Sequence, residues 1–213
     1  MDTAKRIKRA RKRLNTTLQV VQWQREQNLR KPFKVFVMLM PYMTSESVSR
    51  LAIIPPPRRM GKHEIPKDLQ LVSFGTLTKL QNAGKSNDFV KVCCDLVSVL
   101  TGESAERVST RPAIEVIGIV NMVQSEMERI GKLFQSLGVE HSSDELAAGI
   151  DRLEFGTFGI VDWYAKRMGI VDHEEVFKTP WGRIFQCMKI DHENQEFEKR
   201  YRKIIENKSK LKK

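Results

Sequence analysis

The sequence predicts a mainly α-helical protein: a helical body, an extended basic N-terminal arm, and a small strand or hairpin near residues 33–54. Three observations predict it. From Asp88 onward, apolar residues recur at three- and four-residue steps behind helix-capping residues, the period of a helix with one buried face. Cations crowd both ends of the chain while the middle is mildly acidic. The strongest strand-favouring run, Phe33 to Met40, is short and stands alone.

Charge divides the chain. Eleven Lys and Arg against two acids give residues 1–34 a charge of +9, and residues 35–70 carry +2. Residues 71–150 and 151–198 carry −3 and −4, and eight cations against one acid give residues 199–213 a charge of +7. This distribution predicts a basic helical and extended arm over 1–65, a body over 66–198 and a basic tail over 199–213, with any polyanion met by the ends. The 213 residues are enough for one sizeable core. No apolar run reaches the roughly 18 residues of a membrane span, and Met1 to Arg13 has no apolar signal-peptide region, so a cytosol-like compartment is expected.

Taken in order, residues 2–30 read as a helix striped by Ile7, Ala10, Leu14, Leu18 and Val21. Lys5, Arg6, Lys8, Arg9, Arg11, Lys12 and Arg13 fill its first half and repel one another. A solvated tail, a nucleic-acid arm and a membrane-surface helix all fit such a stretch; the last is weakened by the lack of bulky apolar residues opposite the cations. Pro32 ends this helix, Phe33 to Met40 reads as a buried strand, and Val48 to Ile54 as a second strand or extended segment. Pro55-Pro56-Pro57 makes a stiff spacer.

Asp88 caps a helix to Leu100 whose apolar face is Phe89, Val92, Cys93, Leu96, Val99 and Leu100, and Gly102 stops it. Ser104 caps a short helix, Pro112 leads a long one over Ala113 to Leu137, and Gly138 ends that. Ser142 to Glu145 has capping-box chemistry for a helix over Glu145 to Leu153. Leu153 to Arg167 reads as an apolar extended turn and then a helix; Val171 to Glu175 starts another, interrupted at Pro180; Trp181 to Lys208 holds the last. Phe155-Gly156-Thr157 echoes Phe74-Gly75-Thr76, each after an apolar residue two positions earlier. A degenerate duplication around 71–81 and 153–167 would account for the echo, as would chance.

Chemistry is not legible in this pattern. Asp172-His173-Glu174 and Asp191-His192-Glu193 each contain half of a zinc-protease motif, but Phe177 and Glu196 stand where a second histidine is needed, so both read as helix starts. Gly84-Lys85-Ser86 has Lys79 where a phosphate loop needs glycine. Cys93, Cys94 and Cys187 lack chelating spacing and read as buried free thiols. No catalytic residue, cofactor or metal is expected, and the chain is read as a non-enzyme. Two residue sets remain. Lys199, Arg200, Arg202 and Lys203, with the N-terminal cations, are candidate contacts for nucleic acid or another anionic partner. Phe155, Phe158, Trp163, Tyr164, Trp181 and Phe185 are candidates for a protein interface, since aromatics at helical spacing suit core or interface burial better than base stacking.

The order Leu100-Thr101-Gly102-Glu103-Ser104-Ala105-Glu106-Arg107-Val108, then Arg111-Pro112-Ala113-Ile114-Glu115-Val116, follows a Phe-Gly-Thr turn and a helix starting at Asp88. Over about residues 65–135 this resembles the tail assembly chaperone group of tailed bacteriophages, through a Leu-Thr-Gly helix end, a short Ser-x-x-x-Val helix and a Pro-led helix. The resemblance implies a viral structural or assembly protein that forms homo-oligomers and contacts other virion proteins, made in the host cytoplasm and then carried in the virion. That family is compact and acidic, whereas this chain has basic arms and an N-terminal extension. Those features suit a component built into the particle, such as a neck, tail-ring, head-tail connector or tail-carried protein, with DNA contact through the termini. The alternative expectation is a soluble nucleic-acid-binding regulator.

Overall fold

The computed structural model describes residues 27–138, 143–153 and 155–210. The cations Lys5 to Arg13 lie outside the described residues, as does most of the helix expected over 2–30. The described chain is mainly α-helical, as the sequence predicts, with one two-stranded antiparallel hairpin among the described residues. It divides into two compact units that do not follow chain order: residues 27–67 group with 83–123, and residues 68–82 with the described residues from 124 on.

The first unit begins with α1 (Phe33–Leu39), a 3-10 turn over Met40–Tyr42 and α2 (Ser45–Leu51), which Thr44 caps by accepting from the Ser47 N–H at 3.3 Å. The hairpin β1 (Arg59–Met60) and β2 (His63–Glu64) pairs Arg59 with Glu64 and Met60 with His63, turning at Gly61 with φ 58°. Counting in chain order, α3 (Phe74–Ala83) belongs chiefly to the other unit, and the first continues with α4 (Phe89–Thr101), α5 (Ala105–Ser109) and the N-terminal half of α6 (Ala113–Gln135). Asp88 caps α4 through the Val90 and Lys91 N–H groups at 2.9 and 3.1 Å, and Gly102 closes it in the left-handed region at φ 72°. Phe33, Phe36, Met60, Val97, Val108, Val116 and Ile119 are buried at the centre. Burying each such side chain stabilises the fold by about 1.5–3 kcal/mol.

Within this unit Asn121 donates from Nδ2 to the carbonyls of Leu51 and Ile54 at 2.7 and 3.1 Å, holding the turn that follows α2 against α6. The chain then passes so close to α6 that a Cβ on Gly118 would stand 2.3 Å from the Pro55 carbonyl oxygen. Glycine is what admits the triple-proline segment here.

The second unit holds most of α3, the C-terminal half of α6, α7 (Ser143–Ala147), a 3-10 turn over Ile150–Arg152, α8 (Gly156–Met168), α9 (His173–Lys178) and α10 (Trp181–Lys210). Its core is Leu69, Phe74, Leu77, Leu80, Ile130, Val161, Tyr164, Val176, Trp181 and Ile184. Trp181 anchors it: the indole N–H donates to the Leu69 carbonyl at 2.6 Å, and the ring packs tilted against Phe134 and Phe185. Glu126 accepts from the Leu69 N–H at 3.1 Å and also binds Arg129, so the segment before α3 is held through both its N–H and its carbonyl.

The two units are built on one recurring pattern. In the first, the N–H groups that open α1 and α6 reach across: Phe33 donates to Arg111 at 2.8 Å and Ala113 to Lys31 at 2.9 Å. In the second, Phe74 donates to Thr179 at 2.8 Å and Trp181 to Val72 at 3.2 Å, opening α3 and α10 in the same way. In each case the acceptor lies two residues before the start of the facing helix. The preceding elements correspond too: α4 and α8 each have 13 residues and end on a left-handed glycine, Gly102 and Gly169. A capped short helix follows each, α5 behind Ser104 and α9 behind Asp172, with Val108 and Val176 both fully buried. Pro112 and Pro180 then lead the long helices.

This correspondence pairs α1 with α3 and α4 with α8, so the two Phe-Gly-Thr stretches do not occupy equivalent places. Phe74 is buried and Gly75 lets the Phe177 carbonyl approach to 3.0 Å of its would-be Cβ, whereas Phe155 is 68% exposed and Gly156 serves through its φ of 52°. The strand expected at Phe33 to Met40 is the helix α1. A continuous apolar run carries no period to separate strand from helix, and Pro32, at φ −51° and ψ 139°, starts a helix that buries Phe33 and Phe36 on one face. Residues 27–65, expected as part of an arm, pack into the first unit's core through Leu29, Phe33, Phe36, Leu51, Met60 and Ile65. The helix expected over Glu145 to Leu153 is the shorter α7 followed by the 3-10 turn, broken at Gly149 with φ 84°.

Candidate interaction surface

Proline starts α10 and nothing in its sequence stops it before Lys210, so it runs 30 residues, the longest element among the described residues. Its first three turns bury Trp181, Ile184 and Phe185 in the second unit. Farther on the helix is uncovered: from Glu193 to Ser209 every residue except Glu196 is exposed. That section spans about 25 Å at 1.5 Å per residue.

The expected anion-contacting residues Lys199, Arg200, Arg202 and Lys203 sit on this uncovered section. Lys199 pairs with Glu196 at 3.1 Å and Arg202 with Glu198 at 3.4 Å, one turn back along the helix. The hydrogen bond from Lys199 and its charge hold the Glu196 carboxyl below the usual carboxylate range. Arg200 and Lys203 form no ion pair among the described residues. Four cations in five positions on a solvated helix make a field that salt screens over about 8–10 Å.

The expected interface aromatics separate into two groups. Tyr164, Trp181 and Phe185 belong to the second unit's own core at 1%, 3% and 7% exposure, so they do not offer a surface to a partner. Aromatic residues at helical spacing signal burial without saying against what, and here the answer is the same chain. Trp163 is half-buried, while Phe155 and Phe158 are exposed. The Phe155 side chain lies over Gly159, and Phe158 meets His173 edge-on at 5.3 Å between centroids. Phe197 and Tyr201, whose helical spacing also suits burial, are exposed on α10 with rings stacked at 6.2 Å and 15°.

Other polar clusters are structural in their geometry. Asp172 caps α9 as expected, but Asp191 lies within α10 and pairs with Arg167, whose guanidinium stands 5.7 Å from the Trp163 ring centroid. Beside them Leu137, Ile160, Trp163, Met188 and His192 line an open, mostly apolar groove of about 250 Å³. In the first unit Arg111 grips Glu103 through both Nε and Nη2, and His63 of β2 stands 3.7 Å from Glu103. This ties the hairpin to the turn before α6. Among the described residues no group of three His, Cys, Asp or Glu is placed to hold a metal ion, and no helix is long and apolar enough to cross a membrane. Compared with models of known families, with curated proteins and with solved structures, the chain matches none.

Proposed function

We propose that this chain is a non-enzymatic structural or assembly protein of a tailed-phage particle, a neck, tail-ring or connector component or a tail-carried protein. Its helical body meets neighbouring subunits and its basic ends meet anionic surfaces. The observation that carries the reading is the uncovered section of α10, where Lys199, Arg200, Arg202 and Lys203 are displayed on solvent-exposed turns beyond the part of the helix that packs into the second unit. The exposed Phe155 and Phe158 supply an apolar patch on the same unit. The phage setting rests on the sequence likeness over residues 65–135. Mass spectrometry of purified particles and of assembly intermediates tests it: the chain is expected in one or both, and its absence from both overturns the reading.

A soluble nucleic-acid-binding regulator is the second reading, favoured by the stacked Phe197 and Tyr201 rings beside the same cations. It predicts binding that weakens steeply as salt rises, by about one power of salt concentration per phosphate contacted. A flat salt response removes it.

A further inference from the structure

The equivalence of α6 and α10 brings out a difference between the two units. Ala113 and Trp181 hold the same place, each donating its N–H to a carbonyl two residues before the facing helix, that of Lys31 or of Val72. Counting on from them, Ile117 corresponds to Phe185, both buried, Gly118 to Gln186 and Asn121 to Lys189. In the first unit the chain itself covers this stretch of helix. The Asn121 amide donates to the carbonyls of Leu51 and Ile54, and the Pro55 carbonyl stands against Gly118, which is buried. In the second unit Gln186 and Lys189 are exposed, and an open groove of about 430 Å³ lies beside them.

The lining of that groove says what it takes. Leu133, Leu137, Trp181 and Phe185 are its apolar part. Gln70 and Gln186 bring side-chain amides, and Lys189 an ammonium engaged only in an exposed 3.7 Å contact with Glu193. Arg129, also on the rim, is taken by Glu126. These donors need acceptors. A helix keeps its carbonyls for its own N–H groups. An extended segment with prolines leaves its carbonyls free, lacks an N–H at each proline, and packs its rings on aromatic and aliphatic surface. A segment of this kind, Leu51 to Pro56, is what α6 carries on the equivalent face.

We infer that the groove between the C-terminal half of α6 and the first part of α10 is a docking site for an extended, proline-containing segment of a partner protein. Carbonyls of that segment accept from Gln186 and Lys189, as those of Leu51 and Ile54 accept from Asn121. Gln186 places a side chain where Gly118 has none, so the docked segment stands farther off than Pro55 does and is met through the amide. Such a site is independent of the particle reading, and either can fail without the other.

The test titrates the full, isotope-labelled chain with a synthetic peptide spanning Leu51–Arg58 and follows its amide and indole NMR signals. Saturable shifts are expected at Gln186, Lys189 and the Trp181 indole, with none at Gly118 or Asn121. Lys189→Ala is expected to weaken binding roughly fivefold, the loss of about one hydrogen bond. Gln186→Trp, which fills the groove from an exposed position, should abolish binding while circular dichroism stays unchanged. A peptide with glycine in place of the three prolines should bind about tenfold more weakly, since its backbone is no longer pre-extended. Absence of saturable shifts at millimolar peptide overturns the inference, as does binding that neither Lys189→Ala nor Gln186→Trp weakens. Shifts confined to Gly118 and Asn121 also overturn it, because the peptide then only displaces the chain's own segment. Equal binding of the glycine peptide overturns the assignment to proline-containing segments.

Discussion

The backbone N–H of Phe33 donates to the carbonyl oxygen of Arg111 at 2.8 Å, and Phe74 meets Thr179 through the same bond at the same length. First-turn helix amides ordinarily have no protein partner and exchange with solvent quickly. The amides of Phe33, Ala113, Phe74 and Trp181 are therefore expected to exchange at least on the order of tenfold more slowly than the Ala105 amide, which opens α5 without such a bond. Residue-resolved hydrogen exchange checks this; fast exchange at all four would mean the crossed bonds do not form in solution.

Gly118 and Gly131 lie on the same helix, and the same substitution should act on them with opposite sign. A Cβ at Gly118 meets the Pro55 carbonyl oxygen at 2.3 Å, while nothing lies within 4 Å of one at Gly131. Gly118→Ala forces the triple-proline segment outward and should cost about 1–3 kcal/mol. Gly131→Ala gains helix propensity and should stabilise by about 0.5–1 kcal/mol. Urea unfolding of both variants reads the two signs directly.

Glu103 and Glu115 should respond oppositely to loss of charge. The hydrogen bond from Arg111 holds the Glu103 carboxyl below its ordinary range, so its stabilisation is full above that range and is lost as pH falls through the lowered native value. Glu103→Gln is expected to cost about 1–2 kcal/mol at neutral pH, with the deficit shrinking in acid. Burial raises Glu115, whose Oε2 has no partner among the described residues, so its charge opposes folding as pH rises above the ordinary range. Glu115→Gln should leave neutral-pH stability unchanged or higher. Thermal unfolding at stepped pH separates the two.

The thiols should fall into two classes. Burial pushes Cys93 up to about 12, and burial together with Asp95 and Asp88 raises Cys94, while Cys187 is half-buried. A thiol reagent at neutral pH is expected to modify Cys187 in the folded protein and the other two only after unfolding, since the thiolate is the reactive form. Three thiols reacting at one rate would contradict this core.

Helix punctuation was readable because it is local: Asp88, Ser104 and Asp172 accept first-turn N–H groups, and Gly102 ends α4, as their side-chain chemistry dictates. The hairpin at Arg59–Glu64 left only one such mark, Gly61. What pairs with what was not readable. Nothing near Leu69 announces that Trp181 will bond it from 112 residues away, nor does Trp163-Tyr164 say which ring turns inward. At the candidate surface the cations of 199–203 were evident by count. That the helix carrying them stands bare from Glu193 to Ser209, apart from Glu196, was not.

The interleaving of the two units sets an order on vectorial synthesis. The first unit is complete in sequence once Val123 has left the ribosome, but residues 68–82 belong to the other. Leu69 precedes the tryptophan that covers it by 112 residues, which at about 5–20 residues per second is a wait of roughly 6 to 20 s. Through that interval Leu69, Phe74, Leu77 and Leu80 are out of the ribosome while α9 and α10, against which their unit closes, are not yet made. A nascent chain in that state is a natural client for a holding chaperone.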